Sequence, residues 1–479
     1  MHDDTDRQHD PGTAQHPWSL LVLLCVAQFM VILDVTIVNV ALPSIRDALS
    51  FGPSDLQWVV TAYVLATGGL LLLGGRAADL LGRRRTFLAG LATFTAASLA
   101  SGLAPSSGAL IASRAAQGIG AALLSPAALS ILTISYSGAQ RARALSTWGA
   151  IGGAGAAAGV LLGGMLTSWL DWRWVFFVNV PTGLLTAVVA LRLIPSGQAT
   201  PVRRALRELD LPGAATLVTG LVTLVYAIQG AAAHGWASAR TIGLVLAAGA
   251  LLGAFASIER RVRRPLMAPA VWRMRSLISS ATVMLGVTGI LVGTSFLNTL
   301  FVQNVLGASP LVTGLEFLPG VLTVGVAAHL GPQLLTRFGA RPVIAAGLLI
   351  VAAGELVLSG APSDASYVVD LLPGFVLVGL GVGFTFVSIS VTSMSDVGHE
   401  RAGLASGLIT TAHELGGAAG VSLFSAVAFG AGGATGSRLA TGYGNGTVVG
   451  AVIAAALALL AVFAVPQLRP TGAQRVALH

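Results

Sequence analysis

The amino-acid sequence predicts an all-α protein that crosses a membrane many times. Of its 479 residues, 54% are hydrophobic and only 10% are charged, and the mean hydropathy is +0.82. A soluble domain carries about 25% charged residues, so this composition cannot form a soluble globule. The apolar residues also fall in long runs, and arginines gather in alternate loops between them. These three observations together predict a polytopic bundle of transmembrane helices.

Fourteen apolar runs are separated by short loops. Each is about as long as the 20 residues that a helix needs to cross roughly 30 Å of hydrocarbon. They lie near residues 17–42, 56–74, 86–104, 108–134, 145–169, 174–194, 211–231, 240–258, 277–300, 312–334, 342–360, 368–391, 404–429 and 446–465. The first run is too long for a cleavable signal peptide and follows a mostly acidic tail, so we expect it to remain as a membrane helix.

The arginines predict the orientation of these helices. All 27 basic residues are arginine, and most lie in the tails or in alternate loops. The arginine-rich loops hold Arg76, Arg83 to Arg85, Arg141, Arg143, Arg203 to Arg207, Arg260 to Arg275, Arg337, Arg341 and Arg401. The loops on the opposite side of the membrane hold Arg46, Arg173, Arg240 and Arg438. The positive-inside rule therefore places the tails 1–16 and 466–479 in the cytoplasm of a cell whose inner (plasma) membrane holds the protein. The net charge of +8 reports this topology and no nucleic-acid partner.

The residues that are missing exclude several activities. Without lysine there is no P-loop and no Schiff base, so the energy source is an ion gradient or a partner subunit. Cys25 is the single cysteine, which excludes an internal disulfide and a zinc-ligand set. No metal or cofactor is expected. A membrane enzyme is the least favoured class, because the sequence has neither a zinc-protease motif nor a convincing nucleophile elbow.

Asp34 is the only ionisable residue between Trp18 and Leu42. A carboxylate near the centre of a bilayer costs about 3 kcal/mol on insertion scales, and such residues usually serve ions or protons. Asp34 is therefore the first candidate for a functional residue.

Two hairpins of the chain resemble each other. Gly75–Phe87 reads GRAADLLGRRRTF and Gly331–Pro342 reads GPQLLTRFGARP, and they align on Gly82 and Gly339. Thr336 stands where the first copy has Asp79. Duplicated halves are typical of secondary transporters, which place a central site between two bundles.

Five motifs in order resemble the major facilitator superfamily, and specifically its fourteen-helix branch of drug:proton antiporters. They are LDVTIVNVALP in the first run, GRAADLLGRRR after the second, LIASRAAQGIGAA in the fourth, a glycine-rich fifth run, and DWRWVFFVNVPTG before the sixth. The resemblance implies a six-helix bundle in residues 17–194, two inserted helices in 195–276 and a second bundle in 277–465. It also implies a monomer that exports drug-like compounds in exchange for protons.

The arginine-rich hairpin is interpreted as a conformational latch. Gly82 permits a tight turn and Gly75 lets helices approach closely. Asp79 can accept hydrogen bonds at a neighbouring helix N-terminus while pairing with Arg83. The alternative is a loop that is positive only for topology.

Arg114 lies about six residues into the fourth helix, deeper than topology requires. A buried arginine needs a partner, and Asp34 or a backbone carbonyl is the expected one. The resemblance implies that Arg114 helps conduct or sense the proton. The alternative is an interfacial arginine that extends its head group to water.

Small residues repeat along the fifth helix. Gly155, Gly159 and Gly163 are spaced four apart on one face, with Gly164 beside them. The antiporter signature of the family has Gly-Pro here, whereas Gly159 is followed by Val160. The departure leaves close helix packing as the favoured interpretation of these glycines.

Sparser polar residues suggest the substrate surface. Glu414 is the second candidate for a cavity carboxylate, although an interbundle hydrogen bond is the alternative, while Glu316, Glu355 and His329 are expected to be structural. His413 and Glu414 are about 100° apart on a helix, so both should not face one cavity squarely. The predicted substrate-binding residues are Asp34, Gln28, Asn39, Gln57, Trp58, Tyr63, Asn298, His413 and Glu414.

The sequence thus favours proton-coupled export by alternating access. Asp34 takes a proton from outside and releases it inside, and drug and proton compete for one inward-opening cavity. The scarcity of acids favours neutral or monocationic amphiphiles. Two alternatives stay open: a proton-coupled importer of a metabolite with the same fold, and a membrane sensor or lipid-handling protein that transports nothing.

Overall fold

The structure is a computed structural model that describes residues 17–52, 55–136, 138–195, 209–235, 237–262, 274–395, 402–430 and 436–467. The predicted tail 1–16, nearly all of the tail 466–479 and most of the two linkers within 195–276 lie outside these ranges. Within them the chain forms fourteen long helices. The fold class predicted from the sequence is confirmed.

The first seven helices are α1 Pro17–Leu49, α2 Trp58–Leu81, α3 Arg83–Gly102, α4 Ser107–Ser135, α5 Gly138–Trp169, α6 Trp174–Leu193 and α7 Leu211–His234. The other seven are α8 Ala239–Arg261, α9 Arg275–Asn304, α10 Pro310–Phe338, α11 Ala340–Ser359, α12 Tyr367–Met394, α13 Ala402–Gly430 and α14 Gly436–Ala464. Twelve of these helices are long and apolar enough to span a membrane by length and composition, and α3 and α13 are the two others.

The helices form two bundles of six, α1–α6 and α9–α14. A continuous hydrophobic core runs through both of them. Helices α7 and α8 pack against each other, and α7 also lies against α2 and α13. A smaller apolar cluster formed by Ala214, Leu217 and Phe255 joins this inserted pair to the leucines of α2.

Local sequence explains where several helices begin. The side chain of Ser106 accepts a hydrogen bond from the backbone N–H of Ala109 at the start of α4. Asp210 caps α7 in the same way, and Ser309 caps α10 just before Pro310. These side chains satisfy N–H groups that have no partner within the helix.

The structure confirms that the two hairpins correspond. Gly82 has φ +92° between α2 and α3, and Gly339 has φ +83° between α10 and α11. Both positions favour glycine because residues that carry a Cβ rarely adopt a positive φ. Eight residues beyond each turn a second glycine permits a close helix crossing: Gly90 lies against α4, and Gly347 lies against α12.

We call the end of the bundles that carries Arg83 to Arg85 and Arg341 the arginine-rich end, and the other the arginine-poor end. Hydrogen bonds join the two bundles at the arginine-poor end. Here Arg46 donates to Asn304 at 3.3 Å between α1 and α9, and the backbone N–H of Leu311 donates to Ser168 at 3.0 Å between α10 and α5.

The described hydrogen bonds at the arginine-rich end join helices of the same bundle. Arg83 donates to Ser130, and Arg341 donates to the carbonyl of Val465. In α5, Gly149 and Gly153 have no heavy atom within 4 Å of the position that a Cβ would take. Helices α5 and α10 thus touch at the arginine-poor end, where Gly314 lies against Val160, while α2 and α13 also join the bundles through Leu72 and Gly407.

Candidate proton site and transport path

A buried ion pair lies at the centre of the first bundle. Arg114 Nη1 of α4 donates to Asp34 Oδ2 of α1 at 2.5 Å. The side chains are 1% and 0% exposed, so both charges are removed from solvent. Arg114 Nε also donates to the carbonyl of Val59 in α2 at 2.9 Å. Both partners expected for Arg114 are thus present, and it is not an interfacial arginine in this structure.

Two amides complete the coordination of the carboxylate. Gln117 Nε2 and Asn179 Nδ2 donate to Asp34 Oδ1 at 2.7 Å and 2.8 Å. Gln117 also donates to Ser98 Oγ at 2.7 Å and accepts from Arg114 at 2.6 Å. Four helices therefore meet at Asp34: α1, α3 through Ser98, α4 and α6.

Aromatic rings enclose the arginine. The Arg114 guanidinium lies 4.3 Å from the centroid of the Tyr63 ring and 5.7 Å from that of Phe176. A guanidinium over a ring face is attracted to it, and more strongly when water is excluded. The aromatic rings and the amides together keep the pair dry and oriented.

This arrangement links charge to helix packing. A buried pair is tolerable while both partners are charged, but removing one charge leaves the other uncompensated at a cost of about 3–5 kcal/mol. A proton on Asp34 would leave Arg114 without its counter-ion. The charges of this pair and the contact between α1 and α4 are therefore coupled.

Sequence reasoning missed part of this site. Asn179, Ser98 and Gln117 were not among the candidates, although Gln117 lies in the motif LIASRAAQGIGAA beside Arg114. Asn179 belongs to the motif DWRWVFFVNVPTG, which was recognised in the sequence without a role for this residue. Asp34 was also predicted to bind substrate, but it has no exposed surface here and so lies on no open wall.

The latch residues only partly follow the expectation. Gly82 makes the predicted turn, but within the described residues Asp79 is exposed and forms no ion pair. The predicted Asp79 to Arg83 pair is not formed, because Arg83 Nε donates to Ser130 Oγ of α4 at 2.6 Å instead. Gly75 is loosely packed on Pro126. The tight contact belongs to Gly74, whose Cβ would overlap the carbonyl oxygen of Ala122.

The glycines of α5 pack as a face. Gly155 lies over Ile32, Gly159 over Thr36 and Leu33, and Gly163 over Ile37, so three glycines receive α1. Gly164 points to a different partner, since its Cβ would approach the carbonyl oxygen of Pro310 in α10 to 2.7 Å. These four glycines thus join α5 both to α1, the helix of Asp34, and to α10 of the second bundle.

His413 and Glu414 face different neighbours, as their helical spacing predicted. His413 Nδ1 lies 3.1 Å from Thr288 Oγ1 of α9, and its ring packs edge-on against Phe386. Glu414 lies against α2, where a Cβ on Gly68 would come within 2.6 Å of the Cβ of Glu414. The Tyr63 ring of α2 stacks on the Arg114 guanidinium, and the next residue, Val64, lies against Gly417 of α13. Tyr63 therefore stands between the ion pair and the α2–α13 seam.

The other predicted substrate residues do not share one surface. Asn39, Gln57, Tyr63 and Asn298 are buried. Asn39 donates to the carbonyl of Val35 within its own helix, and Asn298 accepts a hydrogen bond from Tyr443 inside the second bundle. Gln28 and Trp58 are half-buried on α1 and α2. The half-buried members of the prediction, with His413 and Glu414, stay candidates for the transport path.

The chain belongs to the major facilitator superfamily, whose family model matches residues 24–421. It is therefore a multi-pass membrane transporter and not an enzyme. The puromycin resistance protein of Streptomyces alboniger is 41% identical over 425 residues, covering 88% of this chain and 83% of that protein. The cephamycin export protein of Amycolatopsis lactamdurans is 40% identical over 444 residues, covering 92% of this chain and 91% of that protein.

Solved structures support the fold. A D-xylose-proton symporter matches with a TM-score of 0.65 at 16% identity, covering 94% of this chain and 98% of that one. The human organic anion transporter MFSD10 matches with a TM-score of 0.61 at 16% identity, covering 93% and 99%.

Proposed function

We propose that the protein exports antibiotic-like small molecules from the cell in exchange for protons, as a monomer, by alternating access. The observation that carries the proposal is the buried Asp34 to Arg114 pair, closed by Gln117 and Asn179. Related proteins named for puromycin resistance and for cephamycin export support the direction and the kind of substrate.

Asp34 carries the proton in this mechanism. In the state described here Arg114 donates a hydrogen bond to the Asp34 carboxylate, and hydrogen bonds join the bundles at the arginine-poor end. When that end opens, water reaches the pair, Asp34 accepts a proton and Arg114 loses its counter-ion. Because α1 packs along the glycines of α5 and α5 contacts α10, a shift of α1 moves the contact between the bundles.

The arginine-rich end faces the cytoplasm in this proposal, following the positive-inside rule. In the described state the contacts at the arginine-poor end are formed, and Asp79 is released from its latch contact. The substrate path runs along the half-buried residues Gln28, Trp58, His413 and Glu414. The hairpin residues Gly75, Asp79, Gly82 and Arg83 bias the two end states without contacting the substrate.

Proton entry supplies enough energy for export. Each charge that moves inward gains about 2.3 kcal/mol per 100 mV, and each unit of pH difference adds about 1.4 kcal/mol. A single proton per cycle therefore supports a substrate gradient of tenfold to a hundredfold under ordinary membrane energisation.

A drug-susceptibility panel tests the proposal most simply. The chain is expressed in an efflux-deficient bacterial host and challenged with puromycin, lincomycin, a cephamycin and tetracenomycin C, next to an empty vector and Asp34→Asn. Resistance to at least one compound, lost in Asp34→Asn at equal expression, supports export. If the host instead gains growth on a nutrient and no resistance, the metabolite importer replaces this proposal. If purified protein in proteoliposomes moves nothing, the sensor or lipid-handling alternative gains.

A further inference from the structure

A second carboxyl group is buried in the other bundle. Glu355 of α11 is 0% exposed. Its Oε1 accepts a hydrogen bond from Thr294 Oγ1 of α9 at 2.7 Å, and its Oε2 has no hydrogen-bond partner among the described residues. An isolated carboxylate in such surroundings is costly, because one neutral donor does not replace its hydration. The sequence alone had suggested a structural role for this residue.

The internal repeat places Glu355 at the position of the Asp34 network. Ser98 stands 16 residues beyond Gly82, and Glu355 stands 16 residues beyond Gly339. Ser98 is the residue of α3 that holds Gln117 beside Asp34. The second bundle therefore carries its acid on the third helix of the repeat, where the first bundle carries a serine.

The second bundle has no arginine to match Arg114. Helices α4 and α12 are aligned by equivalent crossings: Gly120 lies against Gly90 and Phe94, and Gly381 lies against Gly347 and Val351. Arg114 stands six residues before Gly120, and Phe375 stands six residues before Gly381. Phe375 packs against the rings of Phe317 and Tyr367. Among the residues that the structure describes, the acid of the second bundle thus has no counter-charge like the one that holds Asp34.

The remaining neighbours of Glu355 are mostly apolar. Helix α9 presents Thr294, α13 presents Phe424, and α14 presents Gly450. The titratable residue Tyr443 lies two helical turns before Gly450 on α14, and its hydroxyl donates to Asn298.

Charged residues of the packed helices lie away from Glu355 along the chain. Asp370 of α12 accepts a hydrogen bond from the backbone N–H of Ser366 at the start of that helix, and Arg438 stands near the start of α14. On α9 the charged residue is Arg275, bonded to the carbonyls of Phe463 and Ala464 at the arginine-rich end. On the described part of α13, Glu414 lies against α2. The neutral acid is the form of Glu355 that these surroundings suit.

A surface cleft with several hydroxyl and amide side chains lies at the arginine-poor end of the second bundle. It measures about 450 Å³ and lies between the end of α11 and the start of α14, with Ser359, Ser363, Thr441 and Asn445 among its lining. Ser359 is one helical turn from Glu355, or about 6 Å along the axis. On the other side, Val448 lines the cleft two residues before Gly450, whose backbone lies against Glu355.

We propose that Glu355 is a proton-binding site of the second bundle, loaded from water in the cleft between α11 and α14. The proton bonds to a carboxylate oxygen as it leaves a water of the cleft, and it returns to water when the site empties. Loading and emptying need a small opening between α11 and α14, which pack closely where Gly444 lies against Ser359 and Gly450 lies against Glu355. The proposal goes beyond the Asp34 mechanism and does not depend on it.

Infrared spectroscopy of the purified protein in lipid tests this directly. At neutral pH the wild type should show the carbonyl band of a neutral carboxylic acid that Glu355→Gln lacks and the control Glu316→Gln keeps. Transfer to heavy water should shift that band within minutes. If Glu355→Gln has the wild-type spectrum, or if the band never exchanges, Glu355 is not a proton site. If Glu355→Gln fails to fold, Glu355→Asp takes its place in the experiment. This variant keeps a carboxylic acid, so its carbonyl band should shift in frequency and not disappear.

The cleft is tested through cysteine chemistry. Cys25 is buried and is the single cysteine, so a Cys25→Ser background accepts one new thiol. Thr441→Cys labelled with a bulky thiol reagent fills the cleft, and Asp171→Cys is the labelled control at the same end. Blocking the cleft should slow deuterium exchange at Glu355 at least tenfold relative to the control. Equal exchange rates in the two labelled proteins would overturn the assigned route.

Discussion

Asp34 Oδ2 accepts a hydrogen bond from Arg114 Nη1 at 2.5 Å inside the first bundle, and neither side chain is more than 1% exposed. The pair joins α1 to α4 while Gln117 and Asn179 hold the other carboxylate oxygen. It is therefore a structural element and a charge-bearing element at the same time. Variants of the pair therefore affect both stability and transport, and the two effects have to be measured separately.

A double-mutant cycle separates them. Asp34→Asn and Arg114→Gln should each destabilise the protein by about 3–5 kcal/mol, because each leaves one buried charge unpaired. The double variant should lose clearly less than the sum, since no charge is left uncompensated. Thermal unfolding in detergent measures all four proteins. Additive losses would mean that the pair contributes no coupling energy and that the described contact is not formed in solution.

Asp79→Asn tests the latch. Asp79 is exposed and forms no ion pair in this state, so the substitution should change stability by no more than about 0.5 kcal/mol. Turnover should fall, because the other end state loses a contact, while drug affinity stays within a few fold. Asp364→Asn, another exposed acid, serves as the control. Loss of drug binding with normal turnover of bound drug would remove Asp79 from the latch.

Two glycines of α5 give a matched pair. A Cβ on Gly159 would overlap Thr36 and Leu33, whereas a Cβ on Gly153 meets nothing within 4 Å. Gly159→Ala should therefore cost about 1–3 kcal/mol through overpacking and impair transport. Gly153→Ala should be neutral or stabilising by up to about 1 kcal/mol, because alanine is the better helix former. Similar behaviour of both variants in unfolding and transport assays would contradict the packing between α1 and α5.

Glu414→Gln tests substrate charge. Glu414 is half-buried against Gly68 at the seam of α2 and α13, away from the hydrogen bonds of Asp34. Its loss should spare export of neutral compounds and weaken export of cations several-fold, because a charge partner is removed. Vesicles with an imposed pH gradient and one drug of each kind provide the measurement. Equal loss for both drugs would place Glu414 in the proton path or in the structure.

The number of helices and the central acid could be predicted from the sequence because both depend on local properties. Apolar run length sets the helices, and Asp34 stands out as a single charge in its run. The partners Ser98 and Asn179 could not be predicted in this way, because uncharged polar residues are common in membrane helices and only the fold brings these two together. The Asp79 to Arg83 pair failed because proximity in sequence did not reveal the competing hydroxyl of Ser130 on α4.

The internal repeat could likewise be predicted only in part from the sequence. The sequence revealed two similar turns at Gly82 and Gly339, but not that Ser98 and Glu355 occupy equivalent positions. That relationship needs the helix crossings at Gly90 and Gly347, which depend on three-dimensional packing. A substrate surface was harder still, because several of its predicted members turned out to be buried within one bundle.

The central claim is that Asp34 is the group through which the proton drives export. Proteoliposomes containing equal amounts of folded wild type or Asp34→Asn are loaded with a drug that the susceptibility panel identifies. Uphill transport under a pH gradient and drug exchange without a gradient are then measured. Asp34→Asn should abolish uphill transport and retain exchange, because exchange needs the conformational change but no net proton movement. Uphill transport at the wild-type rate in Asp34→Asn would contradict the account.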